Sequence, residues 1–160
     1  MKTLILVRHG KSSWDYDVQD AQRPLKKRAY KDAQKVIKAF KGKHNGPLVL
    51  WSSPAVRALE SAKIFKEDLD ISDEDFVVKE DIYTFDDRQL TKIITTCDDS
   101  IKQLMVFGHN PAITEVVNAL GNEVFDNIPT TGLTLITFNT TSWKDLKKGE
   151  TLFHLFPKNL

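Results

Sequence analysis

The run Thr3-Leu4-Ile5-Leu6-Val7 carries no charge and stops abruptly at Arg8, His9 and Gly10. It is long enough for a buried strand and too short for an ordinary helix. Two later runs end the same way. Pro47–Trp51 breaks into Ser52-Ser53-Pro54-Ala55-Val56-Arg57, and Gln103–Phe107 breaks into Gly108-His109-Asn110-Pro111. Between the first two, Leu25, Ala29, Ala33, Val36, Ile37 and Phe40 recur at helical spacing. Strands alternating with helices predict a three-layer α/β/α sandwich around a mostly parallel central sheet.

The pattern places the first strand at 3–7 and a polar loop at 10–23. A helix follows from Pro24 to about Phe40, and a second strand at 48–51. Ser53-Pro54 reads as a cap and first residue of the next helix, with Arg57 about one turn in. A short strand at 76–78, a helix from Gln89 to about Cys97, a strand at 104–107 and a helix at 111–120 complete the middle of the chain. Thr-rich strands at 133–138 and 152–156 belong nearer the sheet edge. A chain of 160 residues without a linker or repeat is expected to form one domain, residues 1–160.

Polar residues at the carboxyl ends of such strands lie where open α/β sheets build their sites. Arg8 offers a planar fork of donors suited to phosphate. His9 offers an imidazole that can attack or move protons. Gly10 permits a sharp turn or a close approach of ligand to backbone. A polar loop explains any one of these endings. Three of them together would deliver Arg8, His9, Arg57 and His109 to one edge of the sheet.

Net charge is +1, which gives no overall case for nucleic acid or an anionic membrane, so any phosphate site must be a local cluster of charge. Cys97 is the single cysteine, which excludes an internal disulfide and a multi-cysteine metal site; it reads as a small apolar filler. No obvious multi-carboxylate metal motif is present. No stretch reaches the roughly 20 apolar residues that span a bilayer. The amino terminus lacks the apolar core of a signal peptide, so a cytoplasmic protein is expected. A monomer is the default. His44, in a Lys-Gly-Lys-His-Asn-Gly turn, and His154, in the last strand, read as structural or surface residues.

The ordered set Arg8-His9-Gly10, Ser53-Pro54 with Arg57-Ala58, and Gly108-His109 resembles the histidine phosphatase superfamily, the phosphoglycerate mutase-like proteins. Lys11-Ser12-Ser13-Trp14-Asp15, Arg23-Pro24-Leu25 and Gly108-His109-Asn110-Pro111 are most similar to its small SixA-type phosphohistidine phosphatases. The resemblance implies a metal-independent phosphatase without cofactor. It implies His9 as the nucleophile that forms a phosphohistidine, and Arg8, Arg57 and His109 as phosphate ligands, His109 donating best as the imidazolium. Backbone amides after His109 could assist.

Many members carry Asn where this chain has Asp15. A carboxylate there would repel phosphate, so Asp15 is doubtful as a ligand and could orient an arginine instead. Larger members use a carboxylate acid near the segment matched here by Lys79-Glu80-Asp81-Ile82-Tyr83, so the resemblance implies Glu80 first, Asp81 second, or no protein acid at all. Both also read as solvated loop charges. The implied partner is a phosphohistidine-bearing protein or a small phosphate ester. The alternatives are a small-molecule phosphomonoesterase and a non-catalytic phosphoprotein-binding module.

Overall fold

A computed structural model describes all 160 residues. Six strands form one sheet: β1 (Lys2–Arg8), β2 (Val49–Ser52), β3 (Phe76–Val78), β4 (Gln103–Gly108), β5 (Leu133–Phe138) and β6 (Glu150–Leu155), in the order β3-β2-β4-β1-β5-β6. The first four in that order run parallel; β5 is antiparallel to β1, and β6 to β5, so β5 alone is reversed. The Thr-rich strands therefore lie on one side of the sheet, with β6 at its edge.

Four helices complete the layers: α1 (Lys27–Lys43), α2 (Val56–Asp68), α3 (Asp87–Ile94) and α4 (Ala112–Leu120). Strand side chains alternate between the two faces. Ile5, Val7, Met105 and Phe107 pack beneath α1 and α2, against Val36, Phe40 and Phe65. Leu4, Leu6, Leu104 and Val106 pack beneath α3 and α4, against Ile94, Ile113 and Val117. Both faces of β1 and β4 are thus covered, which is why their sequences are apolar without alternation. Phe65 meets Phe107 edge-on at 4.9 Å between centroids. Each such fully buried side chain contributes about 1.5–3 kcal/mol. No helix is long and apolar enough to cross a membrane.

Local boundaries differ from the sequence pattern for physical reasons. Helix α1 begins at Lys27, not Pro24, because residues 24–26 first pair with the loop after β1. Ser12 and Leu25 form an antiparallel bridge, Ser13 N–H donates to the Pro24 carbonyl, and Lys26 N–H donates to the Lys11 carbonyl. Helix α2 begins at Val56, and Ser53 is not its cap. Helix α3 starts at Asp87, capped by the Asp86 carboxylate on Arg88 N–H. It ends at Ile94, so Cys97 lies in the following turn, buried in the core. Burial pushes its thiol up to about 11, which suits a packing role.

Candidate active site

The carboxyl ends of β1, β4 and β2 lie side by side, and each releases one part of the site. Arg8 faces Gly108 across the β1–β4 register, so His9 and His109 leave adjacent parallel strands together. Their rings lie 5.3 Å apart. Strand β2 ends at Ser52, and the first turn of α2 carries Arg57 back toward both histidines. Arg8, His9, Arg57 and His109 line one cleft of about 380 Å³, as the sequence pattern predicts.

Hydrogen bonds fix the state of each imidazole. His9 Nδ1–H donates to the Gly10 carbonyl at 2.7 Å, which leaves Nε2 unprotonated. Arg57 Nε–H points at that nitrogen across 3.3 Å. Ser53 Oγ accepts Ala55 N–H and lies 2.8 Å from His109 Nε2. With the serine proton given to Nε2, His109 carries its own proton on Nδ1, a buried atom without a partner.

Burial, opposed by the Gly10 carbonyl and reinforced by Arg57, Arg8 and Arg23, holds His9 down to about 4. Burial, then His9 and Arg57, holds His109 down to about 3. The aromatic rings of Tyr83 and Phe85 sit 5.3 and 5.6 Å from His109 and help exclude water from it. Both histidines are therefore neutral at pH 7. In the free protein His109 is thus a neutral imidazole rather than an imidazolium.

Cations surround this pair. Arg8 Nη1 donates to the Ile128 carbonyl at 2.9 Å. The Thr131 N–H is shared by the Arg8 and His9 carbonyls at 3.0 and 3.1 Å. Thr131 pays for this clasp with a φ of 60°, a left-handed conformation rare for a β-branched residue and a form of strain that gathers at functional sites. Asn110 ties the same loop down by donating to the Ile128 carbonyl at 3.1 Å, while its Oδ1 caps Thr114 N–H. The amides of Ile113 and Thr114 are thereby spent inside the protein, on the His109 carbonyl and on Asn110, and do not serve an anion.

Arg23 joins the site, although its role is not apparent from strand endings. It is buried, lines the cleft, and stacks its guanidinium 3.4 Å from the centre of the Trp14 ring. Arg8 Nε, Arg23 Nη1 and His109 Nδ1 are all buried without partners. Buried orphan donors cost about 1–3 kcal/mol each unless something accepts from them. All three belong to residues that line the cleft.

The carboxylate that orients an arginine is Asp20, not Asp15. Asp15 is exposed and outside the cleft lining. Asp20 Oδ2 lies 3.0 Å from Arg57 Nη2 and accepts from the Tyr83 hydroxyl, and its backbone carbonyl accepts from Arg57 Nη1 at 2.7 Å. Glu80 and Asp81 are exposed on a 3₁₀ turn, Glu80–Ile82, and neither lines the cleft. His44 packs on Phe40 and pairs with Gln103, and His154 packs among Phe125, Phe156 and Glu123. No group of three or more His, Cys, Asp or Glu side chains is arranged to hold a metal ion.

Residues 4–82 match the model of the histidine phosphatase superfamily, branch 1. No curated protein sequence matches the chain. In structure it is similar to the protein histidine phosphatase SixA complexed with tungstate, at a TM-score of 0.83 and 18% identity over 98% of each chain. SixA from Agrobacterium tumefaciens gives 0.77 and 18% identity, over 96% of this chain and 97% of that one. A phosphoserine phosphatase from Entamoeba histolytica, in complex with 3-phosphoglyceric acid, gives 0.67 and 16% over 96% of each. At these identities the likeness is one of fold. By its family model the segment 4–82, which holds Arg8, His9 and Arg57, belongs to the histidine phosphatase superfamily, and the whole chain shares the mixed α/β fold of these neighbours.

Proposed function

We propose that the protein is a metal-independent phosphatase that acts through a phosphohistidine on His9, and that it dephosphorylates phosphohistidine in proteins. The observation that carries this reading is the state of His9. Its Nε2 is an unprotonated nucleophile, aimed by the Nδ1–Gly10 bond and set beside the Arg57 guanidinium. A phosphoryl group in transfer carries charge on its equatorial oxygens and needs an in-line nucleophile with fixed donors around it. Arg8, Arg57 and His109 supply donors, and Arg23 adds one more. Water then attacks the phosphorylated His9 and restores the imidazole.

A protein substrate suits the rim. Trp14 and Phe85 line the cleft yet are exposed, and Tyr16 stands out from the same loop as Trp14. Such aromatics offer contact to a macromolecule that presents its phosphoryl group from a side chain. A nitrogen leaving group also needs little help from a protein acid, consistent with the exposed positions of Glu80 and Asp81. The reading takes the protein to be cytoplasmic and monomeric, without nucleic acid or membrane partner. The second reading, a small-molecule phosphomonoesterase, draws on the cleft volume of about 380 Å³, enough for a small ester.

Turnover of a phosphohistidine peptide and of an aryl phosphate, each with and without chelator, separates these readings. Labelled substrate should leave a protein-bound phosphoryl group that survives alkaline and not acidic work-up. Absence of that label in a quenched reaction, or arrest by chelator, overturns the mechanism.

A further inference from the structure

Asp20 is the one carboxylate among the residues lining the cleft, against Arg8, Lys11, Arg23, Lys26 and Arg57. Its side chain keeps 42% of its exposure while Arg57 keeps 3% and Arg23 8%. It stands one guanidinium away from the nucleophile: Arg57 gives Nε–H to His9 Nε2 and Nη2 to Asp20 Oδ2. Burial works against its ionisation, yet the bonds from Tyr83 and Arg57 hold its carboxyl below the usual range, so the group is an anion at neutral pH.

An anion in a phosphate cleft is a cost for most substrates. It repels the phosphoryl oxygens, and it repels the charge that grows on an alkoxide or aryloxide as it leaves. The carboxylate pairs with Arg23 Nε at 3.2 Å as well as with Arg57, while the Asp20 backbone carbonyl accepts from Arg57 Nη1 at 2.7 Å and gives Arg57 a hold on residue 20 that needs no charge. The cost turns into a gain for a leaving group that carries positive charge.

Resting on the phosphatase reading above, we propose that Asp20 is a specificity determinant that favours phosphoryl groups leaving from a protonated imidazole over those leaving from oxygen. The balance of the step supports this role. In the reactive form of phosphohistidine, the ring nitrogen not bonded to phosphorus carries a proton and the ring is cationic. His9 Nε2 contributes its lone pair to a new N–P bond. The old P–N bond breaks, its electron pair stays on the leaving nitrogen, and the substrate departs as neutral imidazole with its proton still on the other nitrogen. The positive charge moves to His9, whose Nδ1–H is held by the Gly10 carbonyl. No external acid, oxidant or metal enters the balance. The Asp20 carboxylate stabilises the cationic substrate ring, and it repels the anion that an ester releases.

The test compares wild type with Asp20→Asn and Asp20→Glu, on an N-phosphohistidine peptide and on 4-nitrophenyl phosphate. Asp20→Asn should lower the ratio of the two kcat/KM values by about tenfold, the effect of one unit charge acting over a few ångströms in a partly hydrated cleft. Asp20→Glu should restore most of that ratio. A role confined to holding Arg57 would slow both substrates together, and a ratio that stays within about twofold overturns the inference. If Asp20→Asn fails to fold by circular dichroism, Asp20→Ser provides the same comparison. Wild type that cleaves neither substrate overturns the phosphatase reading itself. Wild type that cleaves both, with equal losses in the variants, overturns only the role of Asp20.

Discussion

Arg57 directs its Nε–H to His9 Nε2 across 3.3 Å, although the strands that lead into the two residues, β2 and β1, are not neighbours. β4 lies between β1 and β2, and its own end places His109 between them. A guanidinium can approach an imidazole nitrogen this closely only if that nitrogen is unprotonated. The contact sets the Arg57 guanidinium directly against the nitrogen that the Gly10 bond leaves unprotonated.

His9→Ala should remove turnover by about 10³-fold or more, the usual order for loss of a nucleophile. It should also abolish the acid-labile phosphoryl label. His9 lies at a strand end and contributes little to either core cluster, so the circular dichroism spectrum should be unchanged. A variant that keeps the wild-type rate would refute the nucleophile.

Arg57→Ala removes a buried cation with three bonds, to His9, to the Asp20 carboxylate and to the Asp20 carbonyl. Inhibition by vanadate and kcat should weaken together, with kcat falling about 10²–10³-fold. Arg57→Lys should recover only a small part, because an ammonium cannot serve His9 and Asp20 at once. Intact vanadate affinity in Arg57→Ala would remove Arg57 from the phosphate site.

Glu80→Gln separates a positioned acid from a surface charge. A positioned acid contributes about 10²–10⁴-fold. Glu80 is exposed and outside the cleft lining, so its loss should slow aryl phosphate hydrolysis by less than about tenfold and leave phosphohistidine turnover unaffected. A loss of 10²-fold or more on the ester, measured at saturating substrate, would restore Glu80 as the acid.

The parts of the site legible in the sequence are those tied to strand ends. Arg8, His9 and His109 follow apolar runs directly, and a parallel sheet brings such ends together by construction. Asp20 and Tyr83 leave no comparable signal. Asp20 meets Arg57 across 37 residues and Tyr83 across 63, and only the fold brings the loop after β1 against the first turn of α2 and the segment after β3. In the sequence Asp20 is one of several acids in a polar loop. The late start of α1 has the same origin, since the Ser12–Leu25 bridge is a tertiary contact that overrides the helix signal of Pro24. Gly10 reads as special in the sequence, but for a different reason than its packing shows.

A Cβ on Gly10 would meet Ala29 Cβ at 2.8 Å, with Leu25 Cδ2 and Ser61 Oγ at 3.2 Å. Ala29 and Ser61 lie on α1 and α2, so the glycine lets both helices close over the end of β1. Gly10→Ala should cost about 1–3 kcal/mol, the range for overpacking. It should also lower kcat, because the displaced Gly10 carbonyl holds His9 Nδ1. Urea denaturation gives the first figure and steady-state kinetics the second. An alanine variant as stable and active as wild type would show that this closure is loose.

Acid should act on this protein through its two buried histidines. Their folded values, about 4 for His9 and about 3 for His109, lie below the 6.5 of an ordinary histidine. Between those limits the unfolded chain binds protons that the folded chain refuses, so stability falls as pH drops from about 6.5 toward 4 and is insensitive to these groups above it. A tenfold change in proton affinity between the two states is worth about 1.4 kcal/mol, so the pair should weaken the fold by several kcal/mol across that window. Denaturation midpoints from pH 8 to 4 should show the decline, and His109→Asn should flatten it. The same values set the free enzyme's kcat/KM, whose acid limb should lie well below 6.5 once the ionisation of the substrate is separated out. Phosphate binding should reverse the trend, since a dianion against His109 favours its protonated form. Calorimetry in two buffers of different ionisation enthalpy should then record proton uptake. Midpoints that do not move between pH 7 and 4.5, together with an acid limb near 6.5, would mean that water reaches both imidazoles and that burial does not hold them neutral.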